Sequence, residues 1–439
     1  MPSRLPVVVI GAGPQGLAAA AHLVERDVPV VVLEAGPCAA AAVAEWGHVR
    51  LFSPWSELVD AAAARLLEPT GWRAPAEGYP TGEQWIMAYL APLAAALGDR
   101  IRLGARVSGV SRRGRDRLVD ADRDRQPFTV HVVGPDGSEY RFDASAVIDA
   151  SGTWSSPNPA GADGLPALGE TVHADALTSR IPDFRDGEGF AGRHTVVIGA
   201  GHSALTAVRA LARIALRDPA TTVTWALRRA TADTAFGGAE ADQLAARGAL
   251  GENARKAVEE GAVALVTGFR VERVGRDGLS TVLTAEDGRT LTADRVLVLT
   301  GFRPDLSFLS ELRLELDPVL QAPTRIAAEI DPNLHSCGSV SATGAADLRH
   351  PEPDFYVVGA KSYGRAPTFL ALTGYEQVRS VVAELAGDHE AARRVELTLP
   401  ETGVCGGAGL YDSSDGEAGA SCCAVPAQVL QIGSRTGAV

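Results

Sequence analysis

A glycine-punctuated strand–helix–strand pattern occurs twice in this chain, and it restricts the fold more than any other feature. Leu5–Ile10 is an apolar run rich in β-branched residues, as expected of a strand buried on both faces of a parallel sheet. Gly11-Ala-Gly-Pro-Gln-Gly16 follows, then an alanine-rich helix over Leu17–Glu25, then a strand over Val28–Leu33 closed by Glu34. That order fits one βαβ unit. His194–Ile198, Gly199-Ala-Gly-His-Ser-Ala204, a helix over Leu205–Leu216 and a strand over Thr222–Leu227 repeat it. Arg228 and Arg229 stand where the first unit has its acid.

Each loop position has a physical task. Gly11 allows a tight turn, Gly13 lets the backbone approach a pyrophosphate, and Gly16 lets helix close on strand. Pro14 and Gln15 stand between them, ahead of a helix whose free N–H groups and positive dipole end attract phosphate. Glu34 is placed to accept hydrogen bonds from a ribose diol. Gly199, Gly201, His202, Ser203 and Ala204 form the second loop, with alanine as its last residue. No carboxylate follows the second strand of that unit. The guanidiniums of Arg228 and Arg229 suit a 2′-phosphate, which a carboxylate would repel. Two such sites in one chain imply electron transfer between two dinucleotides, most simply from NADPH to FAD.

Other segments complete an α/β reading with two Rossmann-like domains. A helix is expected over Glu83–Leu97 and another over Gly374–Leu385. Strands are expected over Arg102–Val110, Phe128–Val133, Ala146–Ala150, Leu291–Thr300 and Asp354–Gly359. We expect an FAD domain over residues 1–165 and 311–395, with an NADPH domain over 166–310 inserted in it. Residues 396–439 are rich in Gly, Ser and Asp and read as a flexible tail carrying Cys405, Cys422 and Cys423.

Composition narrows the partners. The 439 residues carry 54 acidic and 41 basic side chains, a net charge of −13, which argues against nucleic-acid or anionic-membrane binding. Leu5–Val24 is almost wholly apolar, but Gly11, Gly13, Pro14 and Gly16 interrupt it, so a soluble chain is expected. Five cysteines are too few for a disulfide framework, and a reducing cytoplasm is the expected home. The expected partners are a small-molecule substrate, O2 and a second copy of the chain in a homodimer.

The chain resembles the two-dinucleotide flavoproteins over about residues 5–390, and among them the flavin-containing monooxygenases. Gly11–Gly16 with Glu34 resembles their FAD fingerprint, and Trp46 stands where that family has a tryptophan beside the flavin. Tyr79-Pro80-Thr81 resembles the segment ahead of the second FAD helix. Asp149-Ala150-Ser151-Gly152 and Leu299-Thr300-Gly301 resemble the two strands that cross between domains. The resemblance places Ser53, Val107, Thr300, Gly301 and Gly359 with the cofactor contacts. It departs from the family between the domains, where Gly169 and His173 keep their spacing but Ala167 and Leu177 occupy aromatic positions.

A narrower resemblance, to flavoprotein monooxygenase-like proteins associated with bacterial arsenic resistance, rests on four segments. These are His48-Val-Arg-Leu-Phe-Ser-Pro-Trp55, Thr300-Gly-Phe-Arg-Pro-Asp305, Lys361-Ser-Tyr-Gly-Arg-Ala-Pro-Thr-Phe369 and Leu399-Pro-Glu-Thr-Gly-Val-Cys405. Arg50, Lys361 and Tyr363 are the residues expected to act near the flavin, Lys361 as a cation stabilising negative charge. Cys38 lies where disulfide reductases carry a redox pair, but Ala39–Ala42 follow it, so a relay within the chain is not expected. Cys405, Cys422 and Cys423 match the preference of trivalent arsenic for three thiolates.

The resulting expectation is an NADPH-dependent FAD monooxygenase acting on a soft nucleophile such as a trivalent arsenical. The alternatives are an FAD-dependent reductase of a quinone, thiol or metal species, and a redox-sensing or metal-sequestering flavoprotein.

Overall fold

The computed structural model describes residues 5–236, 245–334, 342–366 and 369–397. Its strands are β1 (Val7–Ile10), β2 (Val30–Leu33), β3 (Ile101–Arg102), β4 (Arg106–Arg112), β5 (Phe128–Val133), β6 (Glu139–Ala144), β7 (Ala146–Asp149), β8 (Leu177–Thr178), β9 (His194–Ile198), β10 (Thr222–Ala226), β11 (Ala264–Val266), β12 (Val271–Asp277), β13 (Ser280–Ala285), β14 (Thr290–Ala293), β15 (Arg295–Val298) and β16 (Phe355–Val357). The α-helices are α1 (Pro14–Glu25), α2 (Ala41–Glu45), α3 (Ala61–Leu67), α4 (Gly82–Trp85), α5 (Ala91–Leu97), α6 (His202–Arg217), α7 (Ala245–Glu259), α8 (Thr324–Ile330), α9 (Ala371–Leu385) and α10 (His389–Arg393).

Two parallel five-stranded sheets organise the chain. One runs β16-β7-β1-β2-β3 and the other β11-β10-β9-β15-β8. The first draws strands from both ends of the described chain, because β7 pairs with β1 on one side and β16 on the other. Each sheet is followed by a three-stranded antiparallel meander, β4-β5-β6 or β12-β13-β14, before its next strand forms.

Side-chain alternation explains the layers. Val7 and Val9 join a core with Leu17, Leu23 and α9, while Val8 and Ile10 join Val110, Phe128 and Val130 of the first meander. In the second sheet Val197 and Leu297 pack against α6 and α7, and Val196 and Ile198 against Val271 and Leu283. Both faces are therefore covered, which is why these strands read as unbroken apolar runs. The two-dinucleotide flavoprotein fold expected from the repeated loops is the observed fold.

Boundaries moved where local chemistry competes. The helix expected over Glu83–Leu97 contains a π-helical turn, Ile86–Leu90, between α4 and α5. Pro92 lacks the N–H that would reach the Ala88 carbonyl one turn back. Trp72 Nε1 donates to that carbonyl instead, at 2.7 Å. The strand expected over Leu291–Thr300 divides into β14 and β15. These belong to different sheets, so one apolar run serves both.

Candidate functional site

The first glycine loop is fixed by what its missing side chains would strike. Gly11 has φ +96°, and a Cβ there would lie 2.8 Å from the Ala150 carbonyl oxygen at the end of β7. A Cβ on Gly16 would lie 1.9 Å from the Gly11 oxygen, so helix and strand approach as closely as backbone allows. Gly13 differs: its Cβ would meet nothing within 4 Å. Open space there, ahead of a helix whose N-cap provides no side-chain hydrogen bond, is the cradle a pyrophosphate needs. Glu34 spans the mouth, accepting from Ala12 N and Gly36 N, each at 2.7 Å. Each carboxylate oxygen keeps a second lone pair for a diol. These residues fit the adenosine half of FAD.

Gln15 is held more tightly than sequence reasoning anticipates. Its side chain is buried beside Gly359 (φ +73°) and Gly374, and a Cβ on either glycine would come within 3.0 Å of it. Nε2 donates to the Ala371 carbonyl at 3.0 Å, and the buried Oε1 has no partner in the described protein. A buried, unpaired acceptor in a nucleotide cradle is a polar group awaiting a donor.

The second loop repeats the design. A Cβ on Gly199 (φ +128°) would lie 2.2 Å from the Leu299 oxygen, whereas one on Gly201 would meet open space. Ala204 replaces the last glycine because its methyl is buried in the core beneath α6. Trp225 Nε1 donates to the Gly199 carbonyl at 2.7 Å and fixes the turn. Thr300 and Gly301 follow on the crossing segment, which Asn158 clasps: Asn158 Nδ2 donates to the Thr300 carbonyl and Thr300 Oγ1 to the Asn158 carbonyl. Arg228 is exposed beyond β10 and donates to the Ala162 carbonyl, and Arg229 is half-buried beside it. His202 and Ser203 open α6.

The segment after α2 is joined to the second loop and to the crossing segments. The Phe52 ring, from the segment after α2, lies 5.2 Å from the His202 ring. His48 Nε2 is 3.1 Å from the Ile181 carbonyl oxygen. Glu45 accepts from Trp154 Nε1 at 2.9 Å and pairs with Arg180, while Trp154 stacks on Phe302 at 4.7 Å.

The segment carrying Trp46, Arg50 and Ser53 is itself laced to residues 78–82. Leu51 N donates to Pro80, Trp55 N to Gly78, and Gly82 N to Val49. Thr81 and Gln84 close a reciprocal cap on α4. Gly82 is required because a Cβ would strike the Trp46 ring at 2.8 Å. Ser53 is buried, and the exposed Arg50 donates to the Tyr79 carbonyl.

Lys361 is placed differently from a free cation. It is 1% exposed, lies 2.7 Å from Asp149 Oδ2, donates to Ser151 Oγ at 3.1 Å and sits over the Phe308 ring. The pair is neutral as a unit, so the positive field expected of Lys361 alone is cancelled at its source. Asp149 is the residue that sequence reasoning missed; the signal was a carboxylate ending an otherwise apolar strand. Tyr363 is buried against Phe369, and burial pushes its phenol well above the ordinary range, so it stays protonated. Val107 lies in β4 opposite Val132 and packs on the cluster that holds Ile10 and Leu33, and Ala105 N, two residues earlier, donates to the Glu34 carbonyl at 2.8 Å.

Cys38 is exposed. Cys405, Cys422 and Cys423 lie outside the described residues. Among the described residues no group of three His, Cys, Asp or Glu is placed to hold a metal, and no helix is long and apolar enough to cross a membrane.

Known structures share the architecture. Bacillithiol disulfide reductase from Bacillus cereus is 19% identical, with a TM-score of 0.64 over 88% of this chain and 99% of that one. DfoA, the cadaverine monooxygenase of desferrioxamine biosynthesis from Erwinia amylovora, is 14% identical, with a TM-score of 0.60 over 91% and 99%. A flavin-containing monooxygenase from Stenotrophomonas maltophilia is 24% identical, with a TM-score of 0.52 over 90% and 98%. No curated protein sequence matches the chain. The description of the pyridine nucleotide-disulphide oxidoreductases matches residues 8–324, and this chain belongs to that family.

Proposed function

We propose that this chain is an NADPH-dependent FAD monooxygenase that oxygenates a soft nucleophile. One observation carries the reading: the cysteine nearest the first glycine loop, Cys38, stands alone before Ala39–Ala42. Among the described residues Cys38 is the only cysteine, so this reading passes the electrons to a diffusible acceptor. FAD, when bound, supplies two-electron acceptance from reduced nicotinamide and, once reduced, reactivity toward O2.

The chain's own residues supply binding, orientation and water exclusion. Gly11, Gly13, Gly16 and the α1 N-terminus take the pyrophosphate, and Glu34 the ribose. Gly199, Gly201 and the α6 N-terminus take the second dinucleotide, with Arg228 and Arg229 on its 2′-phosphate. Phe52 against His202 ties the segment after α2 to the second cradle. Trp46 and Ser53 wall the flavin side, and Arg50 and the protonated Tyr363 remain as donors for a bound oxyanion. The neutral Asp149–Lys361 pair positions Ser151 rather than supplying net charge.

A trivalent arsenical is the substrate we favour, because three tail thiols match its coordination preference. The second reading is a reductase of a thiol or quinone, favoured by similarity to a disulfide reductase. NADPH oxidation measured with and without O2, over a panel of arsenite, methylated trivalent arsenicals, quinones and disulfides, separates them. Consumption that requires O2 and yields a product carrying labelled oxygen supports the monooxygenase. Equal turnover without O2 overturns it in favour of the reductase.

A further inference from the structure

We infer that Lys361 is a positioning residue for the second dinucleotide: it anchors the two crossing segments that set the second cradle relative to the first. The inference goes beyond the proposed chemistry, and only the kinetic arm of its test rests on that reading.

The crossing segments run from one cradle to the other. At one end Ala150 and Ser151 press on the first loop, where a Cβ on Gly11 would lie 2.8 Å from the Ala150 oxygen and 2.9 Å from Ser151 Cα. At the other end the Leu299 oxygen presses on the second loop, 2.2 Å from where a Cβ on Gly199 would lie. Between these ends the segments are zipped into a ribbon. Asn158 N donates to the Gly301 carbonyl at 2.8 Å and Arg303 N to the Ser156 carbonyl at 2.9 Å, around an antiparallel bridge from Pro157 to Phe302. Arg303 Nε adds a bond to Asn158 Oδ1 at 2.8 Å. A ribbon held this closely moves as one body, so the relation between the cradles depends on how its base is fixed.

Lys361 sits at that base. Its ammonium meets the chain where it leaves the first sheet, through Asp149 Oδ2 and Ser151 Oγ. It also meets the chain where it returns, 4.4 Å over the Phe308 ring, which packs on the core cluster of Val8, Ile10 and Phe355. Asp149 Oδ1 accepts from Ser151 N at 3.0 Å and from Ser151 Oγ at 2.6 Å, so the hydroxyl keeps its lone pairs for Lys361. One buried side chain thereby ties the exit, the return and the turn after β16.

The neighbouring restraints are weaker. Each crossing segment contains a glycine in the left-handed region, Gly152 at φ +69° and Gly301 at φ +90°, and glycine backbone pivots most freely. Glu45 pairs with Arg180 beside the ribbon, but their side chains are 52% and 35% exposed, and an exposed pair restrains little. An uncharged replacement of a buried pair preserves stability, yet it has no directional hold on Ser151 or Phe308. Stability and position can therefore be separated by experiment.

The double change Asp149→Asn with Lys361→Met tests this in the full-length protein. Hydrogen exchange over residues 150–153 and 305–309 should be about tenfold faster, with Asn158 and Arg303 as protected as in the wild type. Flavin reduction at saturating NADPH should slow about tenfold or more, since a misplacement of ~1 Å is enough, while FAD affinity and half-saturating NADPH change less than about threefold. Ser151→Ala, at an exposed position and with both charges kept, should speed exchange over the same residues about threefold. It carries the test if the double variant does not fold. Wild-type exchange in the folded double variant, or in Ser151→Ala where only that variant folds, overturns the inference. So does a wild-type reduction rate, or a loss confined to FAD or NADPH affinity. If the wild-type flavin takes no electrons from NADPH, the proposed function fails and hydrogen exchange alone decides whether Lys361 is the anchor.

Discussion

Lys361 Nζ lies 2.7 Å from Asp149 Oδ2, and neither side chain is more than 1% exposed. The contact joins the end of β7, where the chain leaves the first sheet, to the turn after β16, where it has returned. A buried pair of this kind adds little net stability, but breaking it exposes one charge to an apolar interior. Asp149→Asn or Lys361→Met alone should destabilise the protein by about 3–5 kcal/mol, and the double change should recover most of the loss. Denaturant melts of the three variants check this. Additive losses would mean the residues act separately.

The glycines of the first loop should separate folding from cofactor binding. Gly13→Ala adds a methyl where the protein leaves open space, at φ −76°, so the fold should persist while flavin is lost. Gly16→Ala forces a methyl onto the Gly11 carbonyl oxygen and should cost about 3 kcal/mol or more. Thermal melts and the flavin absorbance of purified protein give both readouts. A yellow Gly13→Ala protein at full occupancy would remove the first cradle from the argument.

NADPH should be preferred over NADH through Arg228 and Arg229. Replacing either by alanine should raise the Michaelis constant for NADPH about tenfold and leave that for NADH little changed. Steady-state kinetics with both nucleotides decide it. An unchanged ratio in both variants would place the 2′-phosphate elsewhere.

Acid should loosen the first meander. Glu352 is buried between Arg112 at 2.7 Å and Arg123 at 2.8 Å. Burial alone would raise its pKa, but the hydrogen bonds from Arg112 and Arg123 outweigh it and hold the carboxyl below the ordinary range. Its folded pKa is thus depressed, so its contribution is present above the unfolded value and is lost as pH falls toward the folded one. Glu352→Gln should therefore flatten the fall in stability at acid pH. It should also destabilise the neutral protein by about 3–5 kcal/mol, since two buried guanidiniums lose their counter-ion. Urea melts across the acid range measure both effects.

Legibility in the sequence followed the range of the forces involved. The repeated loops were readable because turn geometry, helix entry and strand burial are set by neighbouring residues. Gly11 with Gly16 and Gly199 with Gly201 announce their loops locally, although the carbonyls that a side chain on Gly11 or Gly199 would strike, Ala150 and Leu299, come from distant strands. The π-helical turn was partly readable, since Pro92 announces a missing donor, but the Trp72 indole that satisfies Ala88 comes from another segment.

The sequence by itself determined two parallel-sheet units, their glycine loops and the acid or arginines closing each second strand. Period, branching and backbone freedom are local properties, and they survive in a one-dimensional string. Only the tertiary structure decided that Lys361 is neutralised by Asp149, that Phe52 meets His202, and that the buried His22 meets Asp60. Those are meetings between residues far apart in the chain. Their consequence depends on burial, which turns an ordinary lysine or histidine into a charge or acceptor that must find its partner inside the protein.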